Sequence, residues 1–207
     1  MSSALLLLLI DLQKAVDHPR ASPELGAFGT PIGPLDRLDR LSRSCLTGER
    51  NNPQAEANVA RLLAHWREQG WSVWHVRHDS LEANSRYRPG QPGHDFKPEA
   101  MPLPGEPVIA KTTNSAFIGT GLEEKLRAAG HTSLVIAGVI TNNSVEATVR
   151  MAGNLGFDTY LVADACFTFG RKDWNGVMRS ADEVHALSLA NLDGEYCKVI
   201  GTKDALS

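Results

Sequence analysis

The sequence predicts a doubly wound α/β domain, and three observations carry that expectation. Apolar runs of strand length recur at residues 5–10, 71–76, 108–110, 133–137, 159–163 and 197–200. Most are continuous rather than alternating, as suits strands buried on both faces of a parallel sheet. Between them lie segments with helix signals, and strand–helix alternation of this kind builds a parallel sheet covered by helices.

The first run, Leu5–Ile10, is apolar throughout and is followed by Asp11. Residues 55–69 carry Ala57, Ala60, Leu63 and Ala64, and Gly70 stops that helix. The second run closes on His75, Arg77, His78 and Asp79, and the third leads into Lys111. Thr120 and Glu123 stand at capping-box spacing before a helix over 122–129, which Gly130 ends. The fourth run leads into Thr141, Asn142, Asn143 and Ser144. Asn143 and Glu146 repeat the capping-box spacing before a helix over 145–155, ended by Gly156. The fifth run leads to Asp164, and Ser180 with Glu183 opens a helix reaching Asn191.

Segments 17–52 and 79–107 do not fit the alternation. Loops that long are functional or ordered by a partner. They are expected to pack against a second copy, giving a homodimer or larger homo-oligomer. Within the first, Arg37, Arg40 and Arg43 with Asp36 and Asp39 read as a solvated helical turn.

With 207 residues, 42% hydrophobic and 22% charged, the chain suits one domain spanning 1–207 and rules out generic disorder. A net charge of −3 without a basic run argues against nucleic acid as a partner. The longest apolar stretch, residues 4–10, is far shorter than the about 20 residues a membrane span needs. It lacks the flanks of a signal peptide, so no membrane partner and a cytoplasmic location are expected. Cys45, Cys166 and Cys197 are widely spaced and odd in number, as reduced thiols would be.

In open α/β sheets, ligands bind beyond the carboxyl ends of the strands. An acid (Asp11), an amine (Lys111) and a hydroxyl (Ser144) each follow a predicted strand, and could converge in one cleft as proton carrier, charge stabiliser and nucleophile. Solvent contact alone also makes strand ends polar, so spacing leaves both readings open.

The residues themselves add a resemblance. Leu9-Ile-Asp11-Leu-Gln13, Lys111-Thr-Thr-Asn-Ser-Ala-Phe117 and Gly138-Val-Ile-Thr-Asn-Asn-Ser144-Val-Glu-Ala-Thr148 resemble, in order and spacing, three signatures of the isochorismatase-like (cysteine hydrolase) superfamily. Gly156-Phe157 and Val162-Ala-Asp164-Ala165 also match. Arg88-Pro-Gly-Gln-Pro-Gly93, Asn114-Ser-Ala-Phe-Ile-Gly-Thr120 and Met151-Ala-Gly-Asn-Leu-Gly-Phe157 look most like its streptothricin-hydrolase-like branch. The resemblance spans roughly residues 4–200.

It implies a three-layer, six-stranded parallel sheet of order 3-2-1-4-5-6. It implies hydrolysis of an amide or related C–N bond in a small-molecule substrate, with no cofactor. Asp11 would match the general acid or base, and Lys111 the cation that activates the nucleophile. A non-proline cis peptide would fall at Val139–Ile140. The backbone N–H groups of Ile140 and Ser144 would face an oxyanion.

The chain departs from the family at Ser144, where most of these hydrolases have cysteine. A thiol ionises near ~8.5 and an alcohol nearer ~15.7. That gap of ~7 units is worth ~10 kcal/mol of thiolate advantage. Ser144 could be a natural nucleophile or an introduced substitution that traps substrate. It could also mark an isochorismatase-like route that hydrolyses a vinyl ether with the aspartate as acid, or a catalytically silent binding protein. Cys166 lies two residues past Asp164 and reads as a buried structural thiol.

No metal is expected. The Asp-x-His of metal-holding relatives is missing, and His75 and His78, three apart on a strand, point to opposite faces. His185 reads as structural. His78, Tyr87, Phe96 and Phe117, with Trp74, are candidates for the walls of the substrate pocket.

Overall fold

The computed structural model describes residues 5–17 and 49–207. Cys45, Arg37, Arg40 and Arg43, with most of the first long segment, lie outside the described residues.

The strands are β1 (Leu5–Ile10), β2 (Ser72–His78), β3 (Val108–Lys111), β4 (Ser133–Val139), β5 (Asp158–Phe167), β6 (Arg171–Lys172), β7 (Met178–Arg179) and β8 (Lys198–Ile200). The helices are α1 (Ala55–Glu68), α2 (Leu122–Ala128), α3 (Glu146–Asn154), α4 (Ala181–Ala190) and α5 (Thr202–Ala205). Six strands form one sheet of order β3-β2-β1-β4-β5-β8, all parallel. This is the order implied by the resemblance, with β8 as the sixth strand. The antiparallel β6–β7 hairpin that intervenes has strands too short for any periodicity to reveal.

The apolar runs of the central strands have the burial they predict, whereas those of the edge strands β3 and β8 are partly exposed. Leu6 to Ile10 of β1 and Leu134 to Val139 of β4 are buried, because helices cover both faces of the central strands. Right-handed crossovers put α1 on one face and α3 and α4 on the other. Between β1 and β4 the chain cannot accept a side chain at Gly138: a Cβ there would sit 2.2 Å from the Ile10 carbonyl oxygen, and φ is +134°. The close approach brings the ends of these two strands side by side.

β5 is longer than its apolar run because it bulges. Ile136 pairs with Leu161, but Gly138 pairs with Cys166. Asp164 therefore lies within β5, not at its end. Its carboxylate accepts hydrogen bonds from the Thr202 backbone N–H (2.8 Å) and hydroxyl (2.7 Å).

Of the three predicted capping boxes, only Ser180–Glu183 forms, with both reciprocal hydrogen bonds. At α2 the carboxylate of Glu123 is bound by Arg127 (2.9 Å), the Thr120 hydroxyl donates to the Ala116 carbonyl (2.6 Å), and left-handed Gly121 takes the cap position. Glu146 is likewise engaged, by Arg150 (2.8 Å) and the Ser188 hydroxyl (2.7 Å), so it cannot fold back over Asn143. A wide π-type turn, Thr141–Val145, leads into α3 instead.

The second long segment finds many of its partners inside the chain. Gln13, fully buried, donates to the carbonyls of His78 (3.2 Å) and His94 (2.8 Å) and accepts from the His78 N–H (2.8 Å). Asp79 binds Arg77 (2.8 Å) and His94 (2.7 Å).

Candidate active site

The strand order reverses at β1: the chain builds outward to β2 and β3 on one side, and to β4, β5 and β8 on the other. Such a switch point opens a crevice at the carboxyl edge of the sheet. Asp11 stands there as the first residue after β1, with its N–H donating to the Val76 carbonyl (3.0 Å) and a left-handed φ of +50°. That region is sparsely populated for non-glycine residues and recurs at functional sites.

Lys111 ends β3, and its side chain is fully buried. Its ammonium donates to Asp11 Oδ2 (2.6 Å), to the Thr113 carbonyl (3.0 Å) and to Ser144 Oγ (3.3 Å). Three N–H bonds thus meet three acceptors, which satisfies a lysine cation without water. Asp11 Oδ1 is buried and has no hydrogen-bond partner.

Ser144 lies in the wide turn just after the Val139–Ile140 peptide, which is cis. Turns of this kind interrupt helices chiefly at functional sites. Three bonds tie the turn to its surroundings. Thr148 donates to the Ser144 carbonyl (2.7 Å) and accepts from the Ala116 N–H (3.0 Å), joining α3 to the loop after Lys111. Thr168 donates to Asn142 Oδ1 (2.5 Å). Thr141 shares a hydrogen bond with His185 Nδ1 (2.9 Å). Sequence reasoning named Thr141 only as a polar residue after a strand and Gln13 and Thr148 only within the signatures, missed Thr168, and took His185 as structural only. Ordinary polar residues 26 and 44 positions from their partners give no local signal.

The other candidates divide. His78 pairs in register with Lys111 and lies edge-on to Tyr87, with ring centroids 5.7 Å apart. Phe96 packs on His75 (5.7 Å), on the face of β2 opposite His78. Phe117 turns to Phe157 (5.9 Å), which precedes β5 at the other end of the strands. Trp74 packs on His131 ahead of β4 (5.9 Å), and is a core residue rather than a pocket wall.

His75 is buried against Glu106 (2.9 Å), which Arg67 also holds (2.8 Å). Burial lowers the His75 pKa. Cys166 is fully buried within β5, and burial pushes its thiol up to about 12. Among the described residues no three His, Cys, Asp or Glu side chains are grouped to hold a metal ion.

The doubly wound sheet thus brings an acid, a buried cation and a hydroxyl together at its switch point, an arrangement able to carry a hydrolysis. Residues 35–204 match the family model of the Isochorismatase domain, and the chain belongs to that family of hydrolases. The isochorismatase family protein YrdC of Bacillus subtilis (strain 168) is 42% identical over 160 residues, covering 77% of this chain and 86% of that protein. Streptothricin hydrolase of Streptomyces noursei is 37% identical over 108 residues, 52% of this chain and 39% of that enzyme. The ureidoacrylate amidohydrolase RutB of Methylobacterium radiotolerans is 26% identical across 90% of this chain and 72% of its own. The crystal structure of an isochorismatase-family protein from Chromobacterium violaceum ATCC 12472 is 58% identical over 100% of this chain and 94% of its own, with a TM-score of 0.83. No described helix is long and apolar enough to cross a membrane.

Proposed function

We propose that this hydrolase cleaves an amide or related C–N bond of a small molecule, with Ser144 as the attacking group. The observation that carries the reading is the buried Lys111 ammonium, in contact with both Asp11 and Ser144. Two relatives of related sequence, a streptothricin hydrolase and an amidohydrolase, point to the same bond class.

In this reading Lys111, whose three N–H bonds face Asp11, Thr113 and Ser144, stabilises charge, and Asp11 carries the proton. On the same reading the proton of the Ser144 hydroxyl passes to Asp11, whose Oδ1 has no hydrogen-bond partner. Ser144 Oγ attacks the carbonyl carbon as Asp11 takes this proton. The oxyanion is met by the backbone N–H groups of Ile140 and Ser144 and by the field of Lys111. As the C–N bond breaks, Asp11 returns the proton to the leaving nitrogen. Water then cleaves the acyl-serine, giving a proton to Asp11, which returns it to Ser144 Oγ as the acid departs.

Serine at position 144, where most of these hydrolases have cysteine, favours one second reading, in which Asp11 acts as a proton donor on a vinyl ether and Ser144 only orients. A panel of amides, lactams, ureido compounds and vinyl ethers separates the two. Under the first reading Ser144→Ala and Asp11→Asn are both inactive, and mass spectrometry finds an acyl adduct on Ser144. Under the second, Ser144→Ala keeps most activity while Asp11→Asn loses it. If the scaffold is tuned for a thiol, Ser144→Cys hydrolyses the amide at least about 100-fold faster, since ~2.7 kcal/mol is a small part of the thiolate advantage; if serine is the evolved nucleophile, Ser144→Cys is slower. Absence of any turnover sensitive to Asp11→Asn would leave a silent binding protein.

A further inference from the structure

We infer that His185 is a positioning residue: through Thr141 it fixes the turn that aims the side chain of residue 144 at Lys111. The inference rests on the proposed role of Ser144, but reads a different property of the site.

Thr141 is fully buried and immediately follows the cis peptide. Its hydroxyl shares a 2.9 Å hydrogen bond with His185 Nδ1, from α4. A hydroxyl can donate or accept, so the bond survives either neutral tautomer of the ring. The second ring nitrogen, Nε2, lies 3.4 Å from Asn52 Nδ2. Asn52 is itself held in a left-handed conformation (φ +45°), and its amide donates to the carbonyls of Ala163 (3.0 Å) and Cys166 (2.6 Å), across the bulge in β5. His185 therefore joins three parts of the fold to the turn: the residues before α1, the bulge of β5 and α4.

On the other side of the turn, Asn142 is held by Thr168. Residues 141 and 142 are thus anchored from two elements, and Ser144 follows two positions later. The Ser144–Lys111 contact is 3.3 Å, long enough that a small rotation of the turn would break it. The groups facing His185 are Thr141, Asn52, the Ala163 carbonyl and the Asp182 carboxylate of α4. Burial keeps the ring neutral against the pull of Asp182 and the carbonyl.

The test uses Ser144→Cys as the parent, because alkylation of that thiol by iodoacetamide reports its distance from Lys111 whatever the substrate is. The unsubstituted chain gives the background from the native cysteines. Thr141→Val and His185→Leu, each in the Ser144→Cys parent, are expected to alkylate at least tenfold more slowly near neutral pH. The midpoint of their pH–rate profile should move upward. Thr141→Ser and His185→Gln retain a hydrogen-bonding group and should stay near the parent. Combining Thr141→Val with His185→Leu should add little to either alone, since both remove one bond. In hydrolysis, kcat should fall with KM nearly unchanged.

Parent-like alkylation of the Thr141→Val variant, or losses that simply add in the double variant, would overturn the inference. Because Thr141→Val is nearly isosteric, it carries the test even if His185→Leu does not fold. Failure of the parent to hydrolyse any amide would count against the proposed function, and would leave the alkylation result standing.

Discussion

Lys111 carries a charge into a place where water does not reach it, and a single carboxylate balances that charge. A buried ion pair adds little net stability, but removing one partner strands the other. Asp11→Asn preserves shape and removes the anion. It should lower unfolding stability by about 3 kcal/mol in urea titration. Asp11→Asn with Lys111→Met should recover part of that loss; a double variant no more stable than the single one would contradict the pairing. Asp11 and Lys111 were legible in the sequence because each directly follows an apolar run, and Ser144 because it lies where the fourth run leads into a helix and matches the family's nucleophile position. His185 was visible as a residue but not in its contact with the turn, since Thr141 lies 44 positions away.

Among the elements, β1 and β4 decide where the site forms. They run so close at Gly138 that a methyl group would overlap the Ile10 backbone, one residue before Asp11. Gly138→Ala should therefore cost about 2 kcal/mol or more, from the clash and from an L-residue at positive φ. It should also slow hydrolysis, because Asp11 would shift with Ile10. An unchanged melting temperature would show that the strands can part without cost. Helix starts were less legible than strands. The same Ser/Thr/Asn-x-x-Glu spacing occurs three times and closes once, at Ser180. Glu123 and Glu146 are drawn instead to Arg127 and Arg150, competitors that no local pattern ranks.

Across the whole molecule, two clusters of charge tie loops to the sheet. Glu106 receives hydrogen bonds from Arg67, the Leu103 N–H and His75; burial would raise its pKa, but these bonds outweigh it and hold it at about 2. Glu56 is opposed by burial in the same way and held at about 2 by Arg50 and Lys97. A carboxylate depressed from 4.5 in the unfolded chain contributes stability that is full above 4.5 and lost as pH falls toward 2. Each contributes about 3 kcal/mol at neutral pH. The buried His75 acts in the same direction, because the unfolded chain binds its proton first as pH drops below about 6.5. Stability should therefore fall steeply between pH 4.5 and 2, and Glu106→Gln should flatten that slope in acid titrations followed by circular dichroism; an identical slope would count against the cluster.

We also propose that the chain works as a homodimer or larger homo-oligomer. Trp174 is 96% exposed at the tip of the β6–β7 hairpin and Leu187 is 65% exposed on α4, apolar side chains that contact with a second copy would cover. Light scattering should give a mass at least about twice 22.5 kDa at micromolar concentration, and 22.5 kDa itself would contradict the proposal.

The sequence alone determined the fold class and the three residues of the candidate site. Burial on two faces requires continuous apolar runs, and Asp11 and Lys111, which follow such runs, stand at the sheet's carboxyl edge. Tertiary structure alone decided which carboxylates cap helices and which bind arginine, and that β5 bulges and turns Asp164 toward Thr202. It also decided that the turn bearing Ser144 is pinned by His185 and Thr168. These contacts join residues far apart in the chain, and only the packed sheet and helices bring them within hydrogen-bonding distance.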